Sequence, residues 1–233
     1  MEKRTWKTNL FIVAMLAPSL LISLGVLVYP LLNTVVQSFK SPDTGKYTLE
    51  NYVYLFTDEI STASIVYTFW ITVVTVIVTI AISYLLALYL RFTDNKVSKF
   101  IGTIYLLPRF IPSLVAVYAM TTIIRDSGLL NRISLLFGNN FKPGLLYNAK
   151  GIILMNIWFN IPFATMIIVS ALSGIQDSVI ESARDVGANQ IRVFFSMILP
   201  LSIKDVMIAM TFVFMGNISS FTTPYLIGPN HPL

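Results

Sequence analysis

Five stretches of the chain are long and apolar: residues 10–32, 61–90, 100–124, 151–176 and 206–230, with Arg109 the one charged side chain among them. Each reaches or exceeds the ~20 residues a helix needs to cross the hydrocarbon core of a bilayer. In lipid the backbone amides have no water to bond, so stretches of this kind are helical. Tilt and interfacial overhang absorb the extra length of the longer runs. The pattern predicts an all-α, polytopic membrane protein, with residues 1–233 forming a single transmembrane domain. The first stretch follows Lys3, Arg4 and Lys7 as a secretory signal would. Its apolar run exceeds the usual ~7–15 residues of such a signal, and Pro18 follows the small pair Ala14 and Ala17, so it reads as a retained helix.

The segment 177–205 breaks the pattern. A connection between two spans needs only a few residues, yet this one is long and has helical periodicity. Val179, Ile180, Ala183 and Val186 fall on one face, and Glu181, Arg184 and Asp185 on the other. Gly187 suits the left-handed position past a helix end, and Asn189 suits the cap of a second helix. There Ile191, Phe194, Phe195, Ile198 and Leu199 form an apolar stripe, which Pro200 is expected to stop. Two short helices with a glycine elbow result. Interfacial helices favour Lys and Arg on their polar face. Here Asp177, Glu181 and Asp185 outnumber Arg184 and Arg192, which fits a protein partner better than an anionic membrane surface.

Composition agrees with the pattern. The chain is 55% hydrophobic and 12% charged, with a mean hydropathy of +0.75. A soluble domain carries about 25% charged residues, and a disordered one is poor in apolar residues, so neither fits. The net charge of +5 belongs to basic loops beside membrane spans rather than to nucleic-acid binding. Lys3, Arg4 and Lys7 precede the first span, and Arg91, Lys96 and Lys99 follow the second, whereas 40–60 holds Lys40 and Lys46 with four acids. This places the N-terminus, 91–99 and 177–205 in the cytoplasm. Segment 125–150 is then outside, although it carries Arg125, Arg132, Lys142 and Lys150.

Chemistry is sparse. There is no cysteine and a single histidine, His231, so neither a thiol nucleophile nor a His/Cys metal set can be built. No phosphate-binding Gly-x-x-x-x-Gly-Lys-Ser/Thr sequence occurs, so ATP binding is not expected in this chain. An enzyme is a poor fit. An ion-gradient-driven secondary transporter is the alternative, although all eleven acids lie outside the spans. A non-transporting membrane scaffold is a further possibility.

Glu181-Ser182-Ala183-Arg184-Asp185-Val186-Gly187-Ala188, followed by Phe195, Ile198, Leu199 and Pro200, resembles the EAA loop of type I ABC importer permeases. That pattern is a Glu-Ala-Ala start, a Gly a few residues later and an Ile-x-Leu-Pro ending. Ser182 departs from it, and Gln176 and Lys204 stand where the family often has proline. Tyr47-Thr48-Leu49-Glu50-Asn51-Tyr52 is similar to the family's F-T-x-x-N-Y segment. Leu107-Pro108, Ile111-Pro112, Gly128-Leu129-Leu130-Asn131 and Trp158 through Pro162-Phe163 resemble further family segments. The resemblance implies a multi-pass permease of the cell membrane, forming half of a pathway for a small polar solute. Its implied partners are a second permease subunit, homologous or identical, two ATP-binding subunits that hold ATP and Mg, and an extracellular or periplasmic solute-binding protein. It also implies a sixth core helix beyond the turn at 228–233. Within the loop, Glu181 or Asp185 would pair with basic groups of the ATPase and Gly187 would set the angle between the helices. Phe194 and Phe195 would anchor either in the ATPase or in the chain's own core, while Ala183 and Pro200 complete the pattern. The segment Phe221–Gly228 is similar to the polyamine, ferric-ion and phosphonate branch, and earlier segments look equally like the sugar branch.

Candidate pathway residues are the polar groups inside spans. Arg109 lies about 14 Å into a continuous third helix at 1.5 Å per residue. It either faces a polar cavity or pairs with carbonyls freed by Pro108 and Pro112. Asn160, Asn217 and Ser220 either line the pathway or join helices.

Overall fold

The computed structural model describes residues 6–229, so Lys3, Arg4, Asn230 and His231 lie outside the described residues. The backbone falls into two compact units, Met1–Ala63 and Ser64–Leu233.

In the first unit, α1 (Trp6–Ser23) passes through a π-helical turn, Leu24–Val28, into α2 (Tyr29–Ser38), so the helix runs past the expected end at residue 32. The Tyr29 N–H bonds the Leu24 carbonyl, five residues back, immediately before Pro30. Proline lacks an N–H and its ring crowds the carbonyl four residues earlier, and the wider π turn makes room for it. After a turn with Gly45 at φ +65°, α3 (Glu50–Thr57) begins. Asn51 Nδ2 donates to the Ser38 and Lys40 carbonyls at 2.9 and 2.8 Å, and the Tyr52 hydroxyl meets Ser38 Oγ at 2.7 Å. The Asn-Tyr pair therefore closes the carbonyl end of the first span, whose last carbonyls have no helical partner. Asp58 accepts the Ser61 N–H at 2.8 Å and caps α4 (Glu59–Phe92). Its hydrogen bonds with Ser61 hold the carboxyl below its ordinary range.

The second unit continues with α5 (Lys96–Ile104), a 3₁₀ turn (Leu107–Phe110), α6 (Ser113–Ile124), α7 (Leu129–Leu136) and α8 (Ala149–Ser173). Then come α9 (Asp177–Asp185), α10 (Gln190–Val193), a π-helical turn (Phe194–Ile198), α11 (Leu199–Ile218) and α12 (Thr222–Ile227). One apolar cluster joins Val76 and Ile80 of α4, Ile168 and Leu172 of α8, and Ala209 and Val213 of α11. Thr72, Thr75, Thr79 and Ser83, all buried, give α4 a face of small side chains. Helices in lipid gain little from apolar burial against each other, and the close backbone approach lies between α8 and α11, where Ala164 and Ala209 are fully buried. Ser83 Oγ donates to the Ile161 carbonyl of α8 at 3.3 Å, and Tyr84 OH meets Ser202 Oγ of α11 at 2.8 Å.

Among the described residues five segments are long and apolar enough to cross a membrane: Leu10–Ser38, Glu59–Phe92, Ser113–Leu136, Ala149–Ser173 and Gln190–Ile218; the third is not one helix, since Arg125 and Gly128 are extended and separate α6 from α7. Two expectations need correction. The third span is not one helix over 100–124. Ile111, just before Pro112, is extended at φ −89° and ψ 124°, so the chain breaks there and the crossing segment starts at Ser113. Nor does Pro200 end a helix. The Leu199 N–H bonds the Phe194 carbonyl across the π turn, one residue before the proline, as in the first span. The last span therefore starts at Gln190 and ends at Ile218, rather than covering 206–230.

The second unit has two ends. At one, Arg91 of α4 reaches the Leu172 and Ile175 carbonyls beside α9. At the other, the Tyr147 N–H bonds the Ile227 carbonyl at 2.9 Å, close to the α6–α7 turn.

Candidate functional site

The segment after α8 folds as two arms around Gly187. The Ala188 N–H bonds the Ala183 carbonyl at 3.1 Å and the Gly187 N–H bonds that of Arg184 at 2.8 Å. This pair of bonds is a Schellman ending, and Gly187 occupies its left-handed position at φ +84°. Asn189 Oδ1 then accepts the Arg192 N–H at 2.8 Å and caps α10. The elbow and the cap are both where the sequence placed them.

The arms divide their apolar residues between two surroundings. Ile180, Ala183, Val193 and Ile198 are buried in the cluster between α4, α8 and α11. Val186, Ile191 and Phe195 remain 85%, 69% and 61% exposed. Phe194 turns inward, its ring edge-on to Tyr84 at 5.8 Å and to Phe195 at 4.9 Å. The two expected stripes are therefore not single faces: Val186 leaves the first and Ile191 and Phe195 leave the second. Glu181, Asp185 and Pro200 are exposed, whereas Ala183 is buried. The exposed side presents acids beside apolar groups.

One residue holding this loop was not singled out by its role there. Arg91, at the end of α4, donates through Nε to the Leu172 carbonyl and through Nη2 to that of Ile175, both at 3.3 Å. The same Nη2 lies 2.7 Å from Asp177 Oδ1 at the start of α9. One guanidinium thus ties the last turn of α4, the end of α8 and the first turn of α9, a fork that Lys cannot reproduce.

The pathway candidates separate. Arg109 is on the 3₁₀ turn, exposed, with its guanidinium carbon 4.8 Å from the Phe163 ring centroid of α8. Its depth along a continuous helix no longer applies, and its contact is a cation–π one. Asn160 and Asn217 come together: Asn160 Nδ2 donates to the Asn156 carbonyl at 2.7 Å and reaches Asn217 Oδ1 at 3.5 Å. Asn217 is buried and its amide also bonds the Val213 carbonyl at 2.6 Å. Ser220 is half-buried in the turn after α11, with its N–H on the Asn217 carbonyl at 3.0 Å. Among the described residues no three His, Cys, Asp or Glu side chains are grouped to hold a metal ion.

Comparison with known proteins gives a consistent answer. Residues 80–233 match the family described as binding-protein-dependent transport system inner membrane component. The chain is 22% identical over 183 residues to the spermidine/putrescine transport system permease protein PotB of Escherichia coli (strain K12), an alignment covering 78% of this chain and 66% of that protein. It is 30% identical over 125 residues to the thiamine transport system permease protein ThiP of Brucella suis biovar 1 (strain 1330), covering 54% of this chain and 23% of that one. It therefore spans just under two-thirds of the first relative and about a quarter of the second. Its fold resembles a chain in the crystal structure of a bacterial ABC transporter involved in the import of the acidic polysaccharide alginate, with a TM-score of 0.80 and 23% identity over 96% of this chain and 79% of that one. A chain of the bacterial alginate ABC transporter in complex with alginate pentasaccharide-bound periplasmic protein gives 0.81 and 22%, over 98% and 81%.

Proposed function

The chain belongs to the family of binding-protein-dependent transport system inner membrane components, and from that premise we propose that it forms half of the translocation pathway of an ATP-driven importer. The solute is small and polar and arrives on a binding protein outside the membrane. A second permease subunit completes the pathway. Two cytoplasmic subunits bind ATP and Mg, and hydrolysis happens there. The observation that carries this reading is the α9–α10 loop, which is anchored to the bundle on one side and offers Glu181, Asp185, Val186, Ile191 and Phe195 on the other. An amphipathic segment held rigidly at a membrane boundary is suited to pass movement of a bound partner to the helices behind it. Asn160 and Asn217, with Ser220 nearby in sequence and Arg109 on Phe163, are the polar groups we assign to the solute's route.

The paired phenylalanines test the docking surface. Phe195→Ala should leave the purified chain as stable as wild type while ATPase copurification falls about tenfold, because exposed anchors of an interface dominate its energy. Phe194→Ala should do the reverse, lowering thermal stability by about 2–3 kcal/mol with docking retained, since it removes a half-buried core ring. Equal ATPase recovery in Phe195→Ala and wild type would remove the loop from the interface.

Orientation follows the Lys and Arg count, with the N-terminus and the α9–α10 loop in the cytoplasm. The native chain has no cysteine, so a single Ser178→Cys substitution reports one site. In intact cells it should resist a membrane-impermeant thiol reagent and react only after permeabilisation. Labelling from outside would invert the topology.

A further inference from the structure

α5 (Lys96–Ile104) holds two exposed bases, Lys96 and Lys99, and no acid. Val97, Phe100 and Ile104, at i, i+3 and i+7, form an exposed apolar stripe along it. Bases beside an exposed apolar stripe are the pattern of a helix lying at a membrane boundary, the pattern that the acidic face of α9 lacks. α5 also lies against the end of α4, since a Cβ on Gly102 would sit 3.7 Å from Leu90 Cδ2.

An open cleft of about 520 Å³ is lined by α5, the last turn of α4 and α8. Three side chains on it have donors to spare. Arg91 uses Nε and Nη2 on Leu172, Ile175 and Asp177, so its Nη1 bonds no described residue. Ser98 is only 5% exposed, and its N–H goes to Asn95 Oδ1 at 2.7 Å. Its hydroxyl faces the cleft and has no partner among the described residues, where a side chain so buried is ordinarily bonded. Lys99 Nζ lies 2.8 Å from Asp94 Oδ1, but the two side chains are 74% and 84% exposed, so the pair is hydrated and weak. The rest of the lining includes Leu90, Tyr105 and Val169. Val169 belongs to the fourth span, four residues before its end at Ser173.

We propose that this cleft binds the phosphate headgroup of an anionic phospholipid of the cytoplasmic leaflet. The proposal rests on the orientation given above. A phosphodiester offers acceptor oxygens, and Arg91 Nη1, Ser98 Oγ and Lys99 Nζ supply donors, two of them charged. Lys96, one turn of helix away, adds attraction to an anionic leaflet. The apolar groups decide between a lipid and a soluble phosphate. Free phosphate gains nothing from Leu90, Tyr105 and Val169, whereas acyl chains can run along them and along the Phe100 stripe.

The test uses the full chain, purified in mild detergent, and native mass spectrometry of bound lipid. Phosphatidylglycerol and phosphatidylcholine of the same acyl chains are titrated separately. Wild type should bind phosphatidylglycerol about tenfold more tightly than phosphatidylcholine. The double variant Ser98→Ala, Lys99→Gln should lose most of that preference at wild-type thermal stability, with phosphatidylcholine binding unchanged. Lys99→Gln alone, a change at an exposed side chain, should shift in the same direction by less. Lys142→Gln, at the opposite end of the second unit, should keep the full preference. Excess inorganic phosphate should not displace the lipid. Equal affinity for the two lipids in wild type, or an undiminished preference in the double variant, would overturn the proposal. So would displacement by inorganic phosphate, which would assign the cleft to a soluble anion. Full lipid preference with reduced ATPase copurification in the double variant would overturn it too, and give the cleft to the ATPase. The orientation fails separately: labelling of Ser178→Cys from outside would remove the cytoplasmic leaflet from the proposal whatever the lipid preference.

Discussion

Gly187→Val is expected to insert at normal levels, bind the ATPase poorly and lose solute-stimulated hydrolysis by on the order of tenfold or more. Gly187 sits at φ +84°, and a Cβ built there meets nothing within 4 Å. No clash therefore confuses the result, and the effect comes from backbone strain alone. Holding a β-branched residue in that region costs about 1–3 kcal/mol. The chain relieves it by rotating out of the left-handed region, and the bonds from Gly187 to Arg184 and from Ala188 to Ala183 then break. Those two bonds fix the direction in which α10 leaves α9. Gly187→Asn, which tolerates φ > 0 far better, should retain most activity. Copurification and stimulated hydrolysis at wild-type levels in Gly187→Val would show that the elbow does not set the docking geometry.

Removal of Arg91 should have a comparable effect by a different route. Arg91→Ala strips a partner from the Leu172 and Ile175 carbonyls and from Asp177. The Arg91 side chain is 21% exposed and that of Asp177 68%, so most of the loss comes from the carbonyl side. Charged hydrogen bonds of this kind contribute about 1.5–3 kcal/mol. The loop then keeps its apolar contacts but loses its tie to α4. Basal ATP hydrolysis should persist while solute transported per ATP falls several-fold. Arg91→Lys should recover only part of it, because its donors all radiate from one nitrogen, whereas Arg91 reaches its acceptors from both Nε and Nη2. Asp177→Asn should be milder still, its carboxylate being largely hydrated. A transport-to-hydrolysis ratio in Arg91→Ala equal to wild type would reduce the residue to a packing role.

The parts of the fold that were legible in the sequence were those set by local chemistry. The second and fourth spans read directly from uncharged runs, and they form as Glu59–Phe92 and Ala149–Ser173. Gly187 and Asn189 were legible because their conformations are demanded within a few residues of chain. The prolines were harder. A proline in a helical pattern reads as a stop, but here each of Pro30 and Pro200 follows a π turn and the helix continues. At Pro112 the helix does break. The same π turn explains the misread stripe, since it shifts the phase between Ile191 and the residues that follow. Arg91 was read only as a topology signal, because its acceptor Asp177 lies 86 positions away and no spacing rule reaches that far. Asn51 was noticed by resemblance, and its two bonds to the end of the first span supply the physical reason.

The uninterrupted passage through Pro200 turns the second arm of the loop and the last span into a single rod. Gln190–Ile218 has 29 residues, about 43 Å of helix at 1.5 Å per residue. Such a rod works as a lever. If a nucleotide-driven closure tilts its base by about 10°, its far end sweeps about 7 Å sideways, a displacement larger than one helical turn of about 5.4 Å. Asn217 rides on that far end, one residue before the helix stops. On the importer reading proposed above, a small angular input on the Phe195 side would thereby be magnified into a gap or a closure at the level of the Asn160–Asn217 pair.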